Sequence, residues 1–242
     1  MFLSEIEKFK QINHYPAFFP KAVFFDMDGV LFDSMKSHAT AWVQTMRFFG
    51  FDFSENEAYM NEGRTGASTI DEMFLKVHNR NSTDDEKQQI YKKKSEIFET
   101  LGKVRPMPFA YDILQKIKAQ KIDIYVVTGS GERTLLNNLE HNFPGIFHKD
   151  KMVTAYDVEF CKPHPEPYLQ ALKKSKLNPW EVVVIENAPL GVESSKSAGL
   201  FTIAVNTGPL NDMILLESGA NLILQSMEDL TNQWERFCEA WN

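Results

Sequence analysis

Two aspartates follow a short apolar run near the start of the chain. Residues 22–25 read Ala-Val-Phe-Phe, and Asp26-Met-Asp28-Gly29 comes directly after them. This run predicts a buried parallel strand, and open α/β sheets bind ligands at the carboxyl ends of their strands. Two carboxylates this close repel each other unless a cation lies between them. We therefore predict a Mg²⁺ site here, with a plain Asp-Gly turn as the alternative.

Three later stretches supply groups that would complete such a site. Hydroxyls and backbone N–H groups in Thr128-Gly129-Ser130, ahead of a helix expected from Glu132, could seat an anion, although most such triplets are N-caps. Lys162 lies in a proline-rich loop that would hold its ammonium at a defined point, although an exposed loop lysine is the ordinary case. Glu186 and Asn187 end another apolar run and offer oxygens to a hard cation, or form a simple turn. Taken together, these groups assemble a phosphoryl-transfer site.

The order of the predicted elements places these groups at one edge of a sheet. Strands predicted after the first one alternate with helices, which indicates a parallel sheet with helices on both faces. The predicted strands are residues 22–25, 122–127, 152–154, 182–185, 202–205 and 222–224. The predicted helices of this part are residues 110–120, 132–140, 166–174, 190–198, 210–217 and a final one, with a short helix over 3–11. The fold class is therefore α/β, a Rossmann-like, doubly wound parallel sheet.

The interval between the first two strands is too long for one crossover connection. Its helical patterns cover residues 37–50, 68–78 and 83–101, which indicates an inserted helical cap. We predict a core of residues 21–34 and 106–242, a cap of residues 35–105 and an N-terminal extension of residues 1–20. The hinges would be residues 32–36 and the segment around Pro106 and Pro108.

The composition excludes several function classes. The chain has 242 residues, 43% of them hydrophobic and 24% charged, which is ordinary for a globular protein. A net charge of −7 argues against nucleic-acid binding. No apolar stretch could span a bilayer or serve as a signal core. Cys161 and Cys238 have no metal-binding spacing, and we expect free thiols in a cytoplasmic monomer.

The four motifs together resemble those of the haloacid dehalogenase superfamily, and the inserted helices resemble its α-helical cap, as in β-phosphoglucomutase. The resemblance covers nearly all of the chain from Lys21 onward. It implies that Asp26 is the nucleophile that forms an aspartyl-phosphate, and that Asp28 is the general acid and base. It also implies that Thr128 and Ser130, with Gly129, hold phosphoryl oxygens and that Lys162 neutralises charge. The implied Mg²⁺ ligands are Asp26, the Asp28 carbonyl and Asn187, with Glu186 beside them.

One departure from the superfamily pattern concerns the metal site. Asn187 stands where an acid is usual, so Mg²⁺ should bind more weakly unless another carboxylate helps. Glu62, in a glycine-containing cap segment, is the candidate, and a solvated loop acid is the alternative. His38 and Lys94 could meet the outer end of a substrate, although each could be an ordinary surface residue.

The chain resembles an inorganic pyrophosphatase branch of the superfamily in four residues, namely Glu62, His38, Lys94 and Asn187. We therefore expect a small phosphorylated substrate, namely pyrophosphate. The runner-up is a β-phosphoglucomutase or sugar-phosphate phosphatase, which His38 and Trp42 also match. The phosphate-gripping arginine of the mutase aligns with Thr69 here, and Arg64 is displaced from that position. A binding module without chemistry is a third hypothesis, but such relatives would be expected to lose Asp26.

Overall fold

A parallel six-stranded sheet forms the centre of the part of the chain that the structure describes. The computed structural model describes residues 2–130 and 133–241. In chain order its strands are β1 (Ala22–Phe25), β2 (Phe32–Asp33), β3 (Arg105–Pro106), β4 (Asp123–Val127), β5 (Met152–Val153), β6 (Val182–Glu186), β7 (Phe201–Val205) and β8 (Leu222–Leu224). The sheet has the order β5-β4-β1-β6-β7-β8, with every neighbouring pair parallel.

Helices cover both faces of this sheet, as predicted. They are α1 (Phe2–Asn13), α2 (Met35–Phe48), α3 (Glu55–Met60), α4 (Gly66–His78), α5 (Asp84–Thr100), α6 (Ala110–Ala119), α7 (Arg133–Asn142), α8 (Glu166–Ser175), α9 (Pro189–Ser197), α10 (Asp212–Ser218) and α11 (Met227–Glu239). The predicted α/β fold class is confirmed, and the predicted strands of the sheet agree with the observed ones to within one residue at each end. The helix start expected at Glu132 lies outside the described residues.

Alternating side chains of the strands build two separate cores. Val23 and Phe25 of β1 point to one face, where the core includes Ile113 of α6 and Trp234 of α11. Their neighbours Ala22 and Phe24 point to the other face, together with Tyr168 of α8. Because both faces are buried, the strands are apolar throughout rather than alternating with polar residues.

The N-terminal helix α1 belongs to the first of these cores. Phe2, Ile6 and Phe9 are buried on its inner face. The Phe9 ring lies 5.3 Å from Phe201 and 5.8 Å from Phe18, centre to centre, in edge-to-face contacts. This helix therefore adds apolar area to the side of the sheet formed by β7. No helix in the described part of the chain is long and apolar enough to cross a membrane.

The inserted segment contains α2, α3, α4 and α5 around a small core of its own. Met46, Phe51, Ile70, Phe74 and Ile90 are among its buried members. Three of these helices were predicted, but α3 was missed. Its signal is local: Ser54 and Glu57 form a capping box at its start.

The two connections between the insertion and the sheet run side by side. Strand β2 pairs antiparallel with β3, with Phe32 opposite Pro106 and Asp33 opposite Arg105. These strands fall in the two predicted hinge segments, although their pairing was not predicted from the sequence. The insertion therefore leaves and rejoins the core at neighbouring points beside β1.

Candidate active site

Asp26 and Lys162 form a buried ion pair at the carboxyl edge of the sheet. Asp26 directly follows β1, and its side-chain Oδ1 accepts a hydrogen bond of 2.6 Å from Lys162 Nζ. The exposed fractions of the two residues are 5% and 1%. Burial raises the pKa of Asp26 to about 8, although the Lys162 charge acts in the opposite direction. The structure thus brings together a carboxylate and an ammonium that lie far apart in the sequence.

The ammonium of Lys162 is held by three acceptors. Besides Asp26, it donates to the Val127 carbonyl at 3.0 Å and to Glu186 Oε1 at 2.6 Å. Burial alone would lower the pKa of Lys162, but the Asp26 and Glu186 carboxylates hold it above its usual value. The ammonium has three N–H groups for these three acceptors, which fixes its direction. Because its pKa is held high, Lys162 is a permanent positive charge beside Asp26.

Glu186 has different partners from those expected of a metal ligand. Its Oε1 accepts from Lys162 and also from the Tyr168 hydroxyl at 2.7 Å. Its Oε2 accepts from the backbone N–H groups of Asn187 and Ala188, at 3.1 and 3.4 Å. Both oxygens are therefore engaged by protein donors, and we propose that Glu186 orients Lys162 rather than contacting the metal. Tyr168 was not singled out from the sequence.

Asp28 faces the cap from the loop after β1. Its Oδ1 accepts a hydrogen bond of 2.6 Å from the Ser34 hydroxyl. His38 Nε2 lies 3.3 Å from the same oxygen, although the geometry is not that of a hydrogen bond. Burial would raise the pKa of Asp28, but its neighbours, His38 first among them, hold it below its usual value. The pKa values of Asp26 and Asp28, two residues apart in the chain, are thus shifted in opposite directions.

The two basic cap residues predicted to meet the substrate lie together. Lys94 Nζ is 2.9 Å from His38 Nδ1, and Lys94 is only 2% exposed. An ammonium can only donate, so His38 accepts at Nδ1 and, when neutral, carries its proton on the Nε2 that faces Asp28. Lys94 is therefore not part of a solvated basic run, which was the alternative for this residue.

The predicted anion seat lies after β4. Thr128 is 3% exposed, and its backbone N–H donates to the Val153 carbonyl at 2.9 Å. The Ser130 N–H donates to Thr128 Oγ1 at 3.0 Å. A Cβ atom placed on Gly129 would lie 2.4 Å from the Gly63 carbonyl oxygen, so this glycine lets the cap loop approach the sheet edge. Residues 131 and 132, between Ser130 and α7, lie outside the described part of the chain.

Glu62 extends from the cap loop into the site. Its Oε1 accepts a hydrogen bond of 2.9 Å from Asn187 Nδ2, and it is 7% exposed. Burial, followed by the nearby charge of Asp26, raises the pKa of Glu62 well above its usual value. Gly29 makes room for this contact, because a Cβ there would lie 2.0 Å from Asn187 Nδ2. Glu62 is therefore not the solvated loop acid that the sequence alone allowed.

The donors around Asn187 fit a hard cation. Asn187 Oδ1 is buried and accepts no hydrogen bond from any residue that the structure describes. The carboxylates of Asp26 and Glu62 lie nearby, and together with buried Glu186 these acids outnumber the ammonium of Lys162. Within the described ranges, no group of three or more His, Cys, Asp or Glu side chains forms a metal-binding cluster. The proposed ligand set does not need one, because it includes an amide and the Asp28 carbonyl.

A cleft between the sheet edge and the cap contains most of the predicted residues. Asp26, Asp28, His38, Glu62, Lys94, Thr128, Gly129 and Ser130 line it. Lys162, Glu186 and Asn187 lie behind these residues and contact them from the core side. Aromatic residues that the sequence did not single out as a group, Trp42, Phe53 and Tyr91, line the cap side.

Arg64 is held at the mouth of this cleft by cap residues. Its Nε lies 2.9 Å from Asn61 Oδ1 and 3.0 Å from Glu72 Oε2. Thr69, which the resemblance places at the phosphate-gripping arginine of the mutase, lies on the cleft wall and donates to the Thr65 carbonyl at 3.2 Å. Arg64, which the sequence places near that position, is therefore engaged with cap acceptors.

Comparison with known proteins gives three informative matches. A solved structure from Bacteroides vulgatus, provisionally described as a beta-phosphoglucomutase, superposes with a TM-score of 0.96 at 50% identity and covers 100% of this chain and 98% of the other. The phosphorylated carbohydrates phosphatase of Thermotoga maritima is 29% identical over 212 residues, which is 87% of this chain and 96% of that protein. Hexitol phosphatase A of Escherichia coli is 31% identical over 211 residues, which is 87% of this chain and 93% of that protein.

The family follows from the fold, the motifs and these matches together. Residues 23–205 match the haloacid dehalogenase-like hydrolases, a range that contains β4, β6, all of β1 except its first residue, and every residue assigned to the site above. The resemblance inferred from the four motifs is therefore confirmed. The chain belongs to the haloacid dehalogenase-like hydrolase family.

Proposed function

We propose that this hydrolase cleaves inorganic pyrophosphate through an aspartyl-phosphate on Asp26. The observation that carries the proposal is the position of Glu62, a cap carboxylate buried against Asn187 inside the cleft. A cap residue that reaches this far in closes the site and leaves space for a small substrate. A second cap residue, Lys94, supplies a buried positive charge on the side away from Asp26.

In the first proposed step, Asp26 attacks a phosphorus atom and the bond to the bridging oxygen breaks. The products are an aspartyl-phosphate and one inorganic phosphate, which leaves toward the cap. Lys162 offsets negative charge at the point of attack, and Thr128 and Ser130 hold the phosphoryl oxygens. Phosphoryl transfer depends mainly on such positioning and charge neutralisation, because its transition state needs little covalent assistance.

In the second proposed step, Asp28 takes a proton from a water molecule, which attacks the aspartyl-phosphate. This step restores Asp26 and releases the second phosphate. Its neighbours hold the pKa of Asp28 below the usual value, so this carboxyl is ionised and ready to act as a base. A departing phosphate needs less protonation than a sugar alkoxide, so an ionised Asp28 suits pyrophosphate better than a sugar phosphate.

Mg²⁺ is the proposed cofactor. Asp26, Glu62, Asn187 Oδ1 and the Asp28 carbonyl would hold it, and Glu62 replaces the charge that an acid at position 187 would supply. When bound, Mg²⁺ would neutralise phosphate charge and the repulsion between the buried acids. The unpaired Oδ1 of Asn187 is the structural observation that favours this placement.

The second candidate is a sugar-phosphate phosphatase or a β-phosphoglucomutase, and the names of the relatives favour it over pyrophosphate. The Bacteroides vulgatus structure is described as a mutase, and both curated relatives are phosphatases of phosphorylated carbohydrates. The site favours pyrophosphate instead, because Arg64 is paired with Glu72 and Thr69 stands where the mutase grips its substrate.

Phosphate release from pyrophosphate and from a panel of hexose and hexitol phosphates, with Mg²⁺ present, decides between the two. We expect the highest kcat/KM for pyrophosphate, and Asp26→Asn is the control that should remove the activity. Equal or better turnover of any sugar phosphate would replace the first candidate with the second. Isomerisation of β-glucose 1-phosphate, assayed with a bisphosphate activator, separates the mutase from the phosphatase. If Asp26→Asn retained full activity, the aspartyl-phosphate mechanism itself would be wrong.

A further inference from the structure

Phe98 of α5 contacts both cap residues that face Asp28. Its ring stacks on the His38 ring, with 4.3 Å between the centres and 26° between the planes. Lys94 Nζ lies 4.7 Å above the centre of the same ring. Phe98 is 6% exposed, so its ring is fixed by its surroundings.

Two other rings complete an aromatic enclosure around the Lys94 ammonium. The centres of Trp42 and Tyr91 each lie 5.8 Å from Lys94 Nζ. The negative faces of aromatic rings attract a cation, which partly replaces the water that a buried ammonium has lost. Of the three rings, Phe98 is the closest to this ammonium, and it is the ring that stacks on His38.

The contact chain runs from Phe98 to the reacting groups. Phe98 packs against His38 and Lys94, Lys94 lies 2.9 Å from His38 Nδ1, and His38 Nε2 lies 3.3 Å from Asp28 Oδ1. Stacking limits rotation of the imidazole about its χ2 angle, and the lysine contact limits which nitrogen faces Asp28. A small rotation of His38 would change the distance to Asp28 directly.

We propose that Phe98 is a positioning residue, which holds His38 and Lys94 in the geometry that orients Asp28 for proton transfer. Phe98 is not among the residues that line the cleft, and it acts through these two residues. The inference rests on the proposed role of Asp28, but not on pyrophosphate being the substrate. Phe98 should therefore affect the catalytic step more than substrate binding.

Phe98→Leu tests this, assayed with whichever substrate the wild-type enzyme turns over best. We expect kcat to fall about tenfold while KM changes less than about twofold, since the change affects the transition state rather than binding. A double-mutant cycle with His38→Ala separates positioning from general damage. If Phe98 acts through His38, Phe98→Leu should lower kcat by less than about twofold in the His38→Ala background, because coupled residues are not additive.

Phe74→Leu is the matched control. It removes the same atoms from a buried cap phenylalanine, which packs on Phe51 with 5.1 Å between ring centres. We expect this control to lower the melting temperature but to leave kcat within about twofold of wild type. Phe98→Met, which retains more volume, replaces Phe98→Leu if that variant does not fold. The proposal is overturned if kcat is unchanged in the folded Phe98 variant. It is also overturned if the Phe98 substitution lowers kcat as much in the His38→Ala background as it does in the wild type.

Discussion

Glu62→Gln isolates the charge of the cap carboxylate from its shape. Glutamine is nearly isosteric and can still accept the hydrogen bond of 2.9 Å that Asn187 donates to position 62. The loop and the amide contact should therefore persist, and only the negative charge is lost. If Glu62 contributes to the metal site, this variant should bind Mg²⁺ more weakly but fold normally.

The size of the effect follows from opposing contributions. A unit charge about 4 Å from a divalent ion is worth roughly 8 kcal/mol at an effective dielectric constant of about 20. Burial raises the pKa of Glu62 well above its usual value, so the metal-free carboxyl holds a proton that binding must displace. This proton and the lost hydration of the ion cancel most of the gross attraction. We expect a net loss of about 1.4–2.8 kcal/mol, which is roughly 10- to 100-fold in the Mg²⁺ dissociation constant.

Calorimetric titration with Mg²⁺ at one fixed pH measures this constant directly, and the Mg²⁺ dependence of activity measures it independently. Glu55→Gln is the control, because it removes one charge from an exposed position of the same cap. An unchanged dissociation constant in Glu62→Gln would show that Glu62 does not contact the metal, whatever happens to kcat.

Three further outcomes are expected. Burial raises the pKa of Asp26 to about 8, so Mg²⁺ must displace its proton below that pH, and calorimetry should show tighter Mg²⁺ binding as the pH rises toward 8; an affinity that does not change over this range would contradict it. In Gly129→Ala, the added Cβ would lie 2.4 Å from the Gly63 carbonyl oxygen and push the cap loop away. We therefore expect kcat in a phosphate-release assay to fall at least about tenfold, and a wild-type kcat would contradict this close approach. Trp234→Ala should lower the free energy of unfolding in urea by about 3–5 kcal/mol, because Trp234 is fully buried and its Nε1 donates to Gln120 Oε1; a loss below about 1 kcal/mol would contradict its place in the core.

The sequence predicted the strands and their bounds well because their signals are local. Residues 22–25 and 182–185 are continuous apolar runs that end in acids, and each run is a buried strand of the sheet. The sequence predicted Lys162 to belong to the site only through its motif, since its contact with Asp26 joins residues that are 136 positions apart. The fold brings the two together because β1 and β4 are neighbours and Lys162 also donates to the last residue of β4.

The remaining features depend on contacts that no local pattern encodes. Glu62 is a plain loop acid in the sequence, and only the docking of the cap loop between Gly29 and Gly129 places it beside Asn187. Lys94 belongs to a run of three lysines, yet it alone among them is fully buried. Helix α3 was not predicted, although its capping box, formed by Ser54 and Glu57, can be recognised in the sequence.

The pairing of β2 with β3 has a consequence for how the cap can move and how it could be exchanged. Phe32 opposite Pro106 and Asp33 opposite Arg105 join the outgoing and returning chains into one ribbon. Because the two chains are hydrogen-bonded to each other, they would have to bend together rather than independently when the cap moves. The same closeness means that a different set of helices could be spliced between residues 34 and 105 without altering the path of any strand in the central sheet.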